Sequence, residues 1–199
     1  MTQHRQRSAQ WLEEHAQASL RRLLPRMEER FREAMEPVEW EVVAERIEQH
    51  FPRLFRLLYS LYGDHYDFFF HLESILAAAV ARHTERPDEL KALDALRETD
   101  PHWFKAQRMV GATFYVDLFA GDLATLRSRI PYLTELGITY VHLMPLFRVP
   151  SGDSDGGYAV ASYREVRDDL GTMAELAELA TELRHHGISL CLDFVFNHT

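Results

Sequence analysis

The chain has 199 residues, of which 46% are hydrophobic and 27% charged, and its formal net charge is −9. These proportions are ordinary for a folded protein, and the acidic balance argues against nucleic acid as a partner because phosphate binding needs a basic face. Cys191 is the only cysteine, which excludes an internal disulfide. The first residues lack the apolar run of a signal peptide, and no stretch is long and apolar enough to cross a bilayer. We therefore expect a cytoplasmic protein that does not bind membranes.

Residues 1–100 have the apolar spacing of helices, with hydrophobic residues three or four positions apart. The pattern predicts four helices, which begin near Leu12, Pro37, Phe69 and Pro87. Pro25 lies inside the first of them and predicts a kink or a break, and Gly63 is expected to end the second. This part of the chain is predicted to be a helical bundle without catalytic residues.

After a hinge at Pro101, predicted strands and helices alternate. The strands are "VGATFYVDLF", "ITYVHLMPL" and "ISLCLDFVF". Of the two helices between them, the first has Asp122 as its N-cap, and the second has Thr172 as N-cap with Glu175 three positions later. This order predicts parallel pairing of the strands. Three parallel strands alone would expose long apolar edges, so we expect the chain to be the front part of a longer protein.

Polar residues follow the second and third predicted strands, where parallel α/β proteins bind their ligands. "SGDSDGGYAV" contains Asp155 and Tyr158, and "DFVFNHT" contains Asp193, Asn197 and His198. A tyrosine ring can stack on the C–H face of a sugar, while carboxylate and imidazole groups bond to hydroxyls. Simpler roles are open: an aspartate in a glycine-rich loop is usually a turn former, and the tyrosine can serve loop packing. The aspartate and asparagine of the second segment are expected to orient the strand end.

Together these segments resemble the α-amylase superfamily of glycoside hydrolases and transglycosylases, whose catalytic domain is a (β/α)8 barrel. Asp193, Asn197 and His198 match its signature after the third strand. "SDGGYAV" after "MPLF", and a helical N-terminal domain of this length, look like the amylosucrases. The resemblance implies an α/β fold class: an all-helical N-terminal domain over residues 1–100, then the first three β/α units of a truncated TIM barrel over residues 101–199.

The resemblance also implies the roles of individual residues. In amylosucrases the residue that matches Asp155 pairs with an arginine at the pocket floor. The one that matches Tyr158 stacks on the glucosyl unit, and the one that matches His198 bonds its hydroxymethyl group. These three are the expected substrate-binding residues, with Asp193 and Asn197 in supporting positions. No cofactor and no metal are expected, although an asparagine like Asn197 helps to hold calcium in other amylases.

Retaining glycosidases need a carboxylate nucleophile and a carboxylic acid about 5–5.5 Å apart. In this superfamily the two follow the fourth and fifth strands, so we expect both after Thr199, no catalytic residue within this chain, and no activity of the chain by itself. The expected full-length protein cleaves sucrose through a covalent glucosyl-enzyme, transfers glucose to an α-1,4-glucan acceptor and releases fructose. A sucrose hydrolase or other glycosidase of the superfamily, and a non-catalytic barrel relative or interaction module, stay open, as does a homodimer.

Overall fold

The computed structural model describes residues 7–152 and 154–195. The chain divides into two compact units, Met1–Leu96 and Arg97–Thr199. The first unit is helical, and its elements are α1 (Ala9–Phe31), α2 (Pro37–Tyr62), α3 (Phe68–Thr84) and α4 (Asp88–Glu98), the last of which extends past the boundary. Within the described part of the chain, no helix combines the length and apolar character needed to span a membrane.

The helical unit is held together by the apolar faces of α1, α2 and α3. The largest fully buried side chains in this core are Leu23, Met27, Phe51, Phe55 and Leu72. Of the kink or break predicted at Pro25, the break is wrong, because α1 continues through that residue. A proline inside a helix costs about 3 kcal/mol. The buried residues on both sides of Pro25 show that packing of the apolar face outweighs that cost.

The second unit alternates strands and helices. Its elements are β1 (Gly111–Phe114), α5 (Val116–Phe119), α6 (Leu123–Ser128), α7 (Ile130–Glu135), β2 (Tyr140–Leu143), β3 (Phe147–Arg148), β4 (Ser162–Val166), α8 (Met173–His185) and β5 (Ser189–Leu192). The strands β1, β2 and β5 form a parallel sheet with β2 in the middle, which confirms the predicted pairing. The strands β3 and β4 pair antiparallel to each other.

The two faces of the parallel sheet differ in their side chains. Val141 and Leu143 of β2 are buried and belong to the same core as Leu126 of α6 and Leu179 of α8. Because side chains alternate along a strand, the intervening His142 lies on the opposite face. In the register of the sheet, Thr113 of β1 and Cys191 of β5 are its neighbours, so they share that face. The helices therefore cover one face, and polar and small side chains occupy the other.

Two predicted elements differ from the structure. The first predicted strand ends at Phe114, and the residues after Tyr115 form α5 instead. This turn allows the ring of Phe119 to stack on Phe114, with 4.3 Å between the ring centroids. The predicted helix after Asp122 is two helices, α6 and α7, because Pro131 has no N–H with which to continue the first one.

The third difference is the segment between the second predicted strand and the second predicted helix, for which no helix or strand is predicted. It contains β3 and β4, which pair with an irregular register between Phe147 and Arg148. The hydrophobic residues of this segment do not alternate regularly, so the sequence does not predict its two short strands. Strand formation here depends on packing against the rest of the unit. Phe147 and Val166 are both buried in the core of the second unit.

The capping box of α8 generates a stability prediction. Thr172 Oγ1 accepts a hydrogen bond from Glu175 N at 3.2 Å, and Glu175 Oε2 accepts one from Thr172 N at 2.7 Å. Replacing Thr172 with alanine should lower the free energy of unfolding by about 1 kcal/mol, as measured by urea denaturation of the full-length protein. The control is Thr181→Ala in the interior of α8, where the hydroxyl donates to Ala177 O. It should change the free energy by less than about 0.5 kcal/mol, and equal losses in the two variants would contradict the assignment.

Candidate functional site

The candidate site lies at the carboxyl ends of the parallel strands. Tyr115 directly follows β1, His142 lies within β2, and Asp193 directly follows β5. The segment between β3 and β4 contributes Asp155 and Tyr158. The ends of parallel strands form one edge of a sheet, and ligands of α/β proteins bind at this edge.

The loop that carries Tyr158 has an unusual backbone. Asp155, Gly156 and Gly157 have φ angles of 49°, 68° and 94°, in the left-handed region that favours glycine. A Cβ atom at Gly157 would lie 3.0 Å from the Cβ atom of Pro145, so the loop passes against the residues that follow β2. Among the residues that the structure describes, Asp155 is the one non-glycine residue with a positive φ angle. Aspartate is among the side chains that tolerate this conformation.

The carboxylate of Asp193 connects this loop to the sheet. Its Oδ2 atom accepts a hydrogen bond from the Tyr158 hydroxyl at 3.0 Å, and its Oδ1 atom lies 2.8 Å from His142 Nε2. The backbone N–H of Asp193 also donates to Leu143 O at 3.3 Å, which extends the pairing of β5 with β2 by one residue. The side chains of Asp193 and His142 are 22% and 28% exposed, so solvent weakens these bonds only in part. Asp193 therefore holds the tyrosine in place from a fixed strand end.

This arrangement changes the acidity of Tyr158. The hydrogen bond to Asp193 raises the pKa of the Tyr158 phenol, and desolvation and the nearby ionisable side chains of Asp193, Tyr115 and Asp155 add to the increase. A phenol is already neutral at physiological pH at its ordinary pKa of about 10, and the raised pKa extends the neutral form of Tyr158 to more alkaline pH. A neutral aromatic ring with a fixed orientation suits an uncharged ligand with an apolar face.

The structure brings only part of the predicted site together. Asp155 is exposed, lies in the same loop as Tyr158 and acts on it electrostatically. Tyr158 and Asp193 are hydrogen-bonded to each other. Asn197 and His198 lie outside the described residues, so their roles stay predictions.

Two residues of this region were missed in the sequence. His142 interrupts the apolar strand "ITYVHLMPL", and a polar residue at the centre of a parallel strand is a signal that could have identified it. Tyr115 had no such signal, since its position depends on the turn between β1 and α5. Its hydroxyl would lie 3.3 Å from a Cβ atom added at Gly156, which places it beside the loop.

Aromatic packing supports the segment that follows Asp193. The ring of Phe194 stacks on Tyr163 of β4, with centroids 4.3 Å apart, and meets the ring of Phe147 of β3 edge-on at 6.0 Å. The Tyr163 hydroxyl also donates a hydrogen bond to the backbone oxygen of Val195. The antiparallel pair thus fixes the residues that follow Asp193, while pairing with β2 fixes those that precede it.

No group of three or more histidine, cysteine, aspartate or glutamate side chains with the arrangement of a metal site occurs within residues 7–152 and 154–195. Asn197 lies outside these residues. The expectation that the protein needs no metal therefore stays a prediction.

Comparison with known proteins identifies the family. Residues 82–199 match the family described as "Alpha amylase, catalytic domain". The chain belongs to the α-amylase family. This membership confirms the predicted fold class, a helical N-terminal region followed by the first β/α units of an α-amylase-type TIM barrel. The match begins within α3, and the domain boundary proposed at residue 101 stays a prediction.

Individual relatives within the α-amylase family match a shorter segment. Over 79 residues the chain is 38% identical to the oligo-1,6-glucosidase of Parageobacillus thermoglucosidasius and to the palatinase of Erwinia rhapontici. Each match covers 40% of this chain but only 14% of the relative's length. Among solved structures, the MutB D200A mutant in complex with glucose is 32% identical with a TM-score of 0.44, over 49% of this chain and 18% of that one.

The carboxylate of Asp193 generates a prediction about the titration of Tyr158. Replacing Asp193 with asparagine weakens the hydrogen bond that chiefly raises the phenol pKa and removes the carboxylate charge that adds to it, so the pKa should fall toward the ordinary value of about 10. The measurement is an ultraviolet titration of phenolate absorbance in the full-length protein, with Tyr158→Phe identifying the transition. Asp169→Asn, which removes a carboxylate paired with Arg167 instead, should leave that transition unchanged. An unaltered Tyr158 transition in Asp193→Asn would disprove the contact.

Proposed function

We propose that the full-length protein is a retaining glucosyltransferase of the amylosucrase type, which uses sucrose as its donor and an α-1,4-glucan as its acceptor. The observation that carries this proposal is the loop "SDGGYAV" after "MPLF", whose Tyr158 is hydrogen-bonded to Asp193 of the "DFVFNHT" segment. Membership of the α-amylase family supports the class of reaction. The amino-acid sequence of the loop supports the narrower assignment to the amylosucrase type.

The proposed reaction is a double displacement. A carboxylate nucleophile attacks the anomeric carbon of the glucosyl unit, while a carboxylic acid donates its proton to the fructosyl oxygen as the glycosidic C–O bond breaks. The deprotonated acid then takes the proton of the acceptor's 4-hydroxyl, which attacks the glucosyl-enzyme and releases the nucleophile. We place both groups after Thr199. Asp193 is not proposed as the nucleophile, because it follows the third predicted strand and not the fourth or fifth.

In this proposal the described residues bind the donor. The ring of Tyr158 stacks on the apolar face of the glucosyl unit, since its hydroxyl is already bonded to Asp193 and its face remains for the sugar. Asp155 is exposed at the same loop and is proposed to pair with an arginine from another part of the protein. His198 is proposed to bond the hydroxymethyl group, and Asn197 to support the strand end.

A second candidate is a hydrolase on the same scaffold. The similarity to an oligo-1,6-glucosidase and to a palatinase favours it, because both are named for glycoside cleavage. The two candidates share the glucosyl-enzyme and differ in whether water or a glucan hydroxyl takes the glucosyl group. Acceptor-binding groups decide between them.

The products formed from sucrose test the proposal. Full-length protein incubated with sucrose should release fructose in large excess over glucose and should form α-1,4-glucan, as measured by chromatography and iodine staining. Glucose and fructose in equal amounts, without polymer, would establish the hydrolase instead. No reaction with sucrose, under conditions where the protein is folded, would overturn the proposal and favour a non-catalytic relative.

Substitutions at the donor site test the assigned residues. Tyr158→Ala should lower kcat/KM for sucrose by at least tenfold, because burying an aromatic ring contributes about 1.5–3 kcal/mol. Tyr158→Phe keeps the ring and should lose less. His198→Ala should also chiefly lower kcat/KM for sucrose. Initial rates of fructose release measure all three, and wild-type kinetics in either alanine variant would remove that residue from the site.

A further inference from the structure

His142 is a polar side chain in the middle of the central strand of the parallel sheet. Its neighbours in the chain, Val141 and Leu143, are buried against the helices, so His142 lies on the other face. There it is half-buried and 2.8 Å from Asp193 Oδ1. A histidine in such a strand has to find a hydrogen-bond partner, because an unsatisfied polar group in a partly buried place costs free energy.

The chemistry of the pair determines where the proton lies. An ionised carboxylate can only accept hydrogen bonds, and Asp193 Oδ2 already accepts one from the Tyr158 hydroxyl. The contact at Oδ1 therefore requires a proton on His142 Nε2. One carboxylate thus receives an N–H donor from the sheet and an O–H donor from the loop.

The two donors have different supports. His142 lies within β2, which is paired on both sides by β1 and β5. Tyr158 lies on a loop between β3 and β4 that contains three successive residues with positive φ. The terminal torsion of an aspartate is broad, so Asp193 with a single partner could rotate. The bond from His142 restricts that rotation and fixes the point at which the tyrosine hydroxyl is held.

We infer that His142 is a positioning residue, which orients the ring of Tyr158 for the donor sugar by fixing the carboxylate of Asp193. The inference rests on the proposed function, in which that ring is the platform for the glucosyl unit. Holding a binding group within about 0.5 Å of its productive position requires support from residues behind it, and misplacement by about 1 Å can cost about a hundredfold in rate. His142 touches neither the sugar nor the reacting atoms.

The kinetic test compares variants of His142 in the full-length protein. His142→Phe keeps a planar ring but removes the N–H, and it should lower kcat/KM for sucrose about tenfold, with most of the change in KM for sucrose. His142→Gln retains an N–H donor and should recover most of the loss. Tyr140→Phe removes a polar group from the same face of the same strand, two residues earlier, and should retain wild-type kcat/KM.

A double-mutant cycle separates positioning from a general structural role. If His142 acts through Tyr158, adding His142→Phe to Tyr158→Ala should have little further effect on kcat/KM. Losses that multiply in the double variant would overturn the inference, as would an equal loss in His142→Gln and His142→Phe. Should His142→Phe fail to fold, His142→Asn, which is too short to reach Asp193, takes its place in the same cycle.

A crystallographic arm keeps this inference distinguishable from the proposed function. The position of the Tyr158 ring is compared among wild type, His142→Phe and His142→Gln without any substrate. The ring should shift or lose its single orientation in His142→Phe and return to the wild-type position in His142→Gln. An inactive wild-type enzyme with this shift would overturn the proposed function alone. An unmoved ring in His142→Phe would overturn the positioning role whatever the activity on sucrose.

Discussion

The arrangement at the carboxyl edge of the sheet depends on one carboxylate with neighbours on both oxygens. Asp193 lies directly after β5, and it joins His142 of β2 and Tyr158 of the β3–β4 segment. A partly buried carboxylate is stable only when its oxygens are satisfied, so the three side chains constrain each other. The hydrogen bond between Asp193 and Tyr158 also raises the pKa of the Tyr158 phenol. In the proposed function, the carboxylate holds a neutral aromatic ring in place for an uncharged sugar.

This contact is available because the sheet separates its two faces. Side chains alternate along β2, so Val141 and Leu143 enter the core beneath the helices while His142 lies opposite. The register of the parallel pairs aligns His142 with Cys191, two residues before Asp193. A slip of one residue in that register would exchange the faces and bury the histidine among leucines. The packing of the apolar face therefore also determines where the polar contact forms.

Local signals in the sequence predicted much of the fold. The caps at Asp122 and Thr172 involve residues three positions apart, so the sequence alone identifies both helix starts. Features that depend on distant contacts were not predictable in the same way. The turn after β1 brings the ring of Phe119 onto Phe114, and Phe147 and Val166 of the β3–β4 pair are buried in the core of the second unit. In the site, Tyr158 and Asp193 were predicted from the segments that contain them. Their hydrogen bond was not, because the two residues are 35 positions apart. The contact of His142 with Asp193 depends on the register of the sheet.

The fixed ring of Tyr158 bears on the choice of donor and not on the choice of acceptor. In the proposed function it selects a donor by the shape of its glucosyl unit, because stacking requires an apolar sugar face in one orientation. It cannot choose between water and a glucan, since both attack the same anomeric carbon after the leaving group has departed. Acceptor choice depends on groups on the other side of that carbon, where the leaving group was bound. The Asp193 arrangement therefore suits a hydrolase and a transferase equally, and the proposed transfer to glucan requires acceptor-binding groups beyond this edge of the sheet.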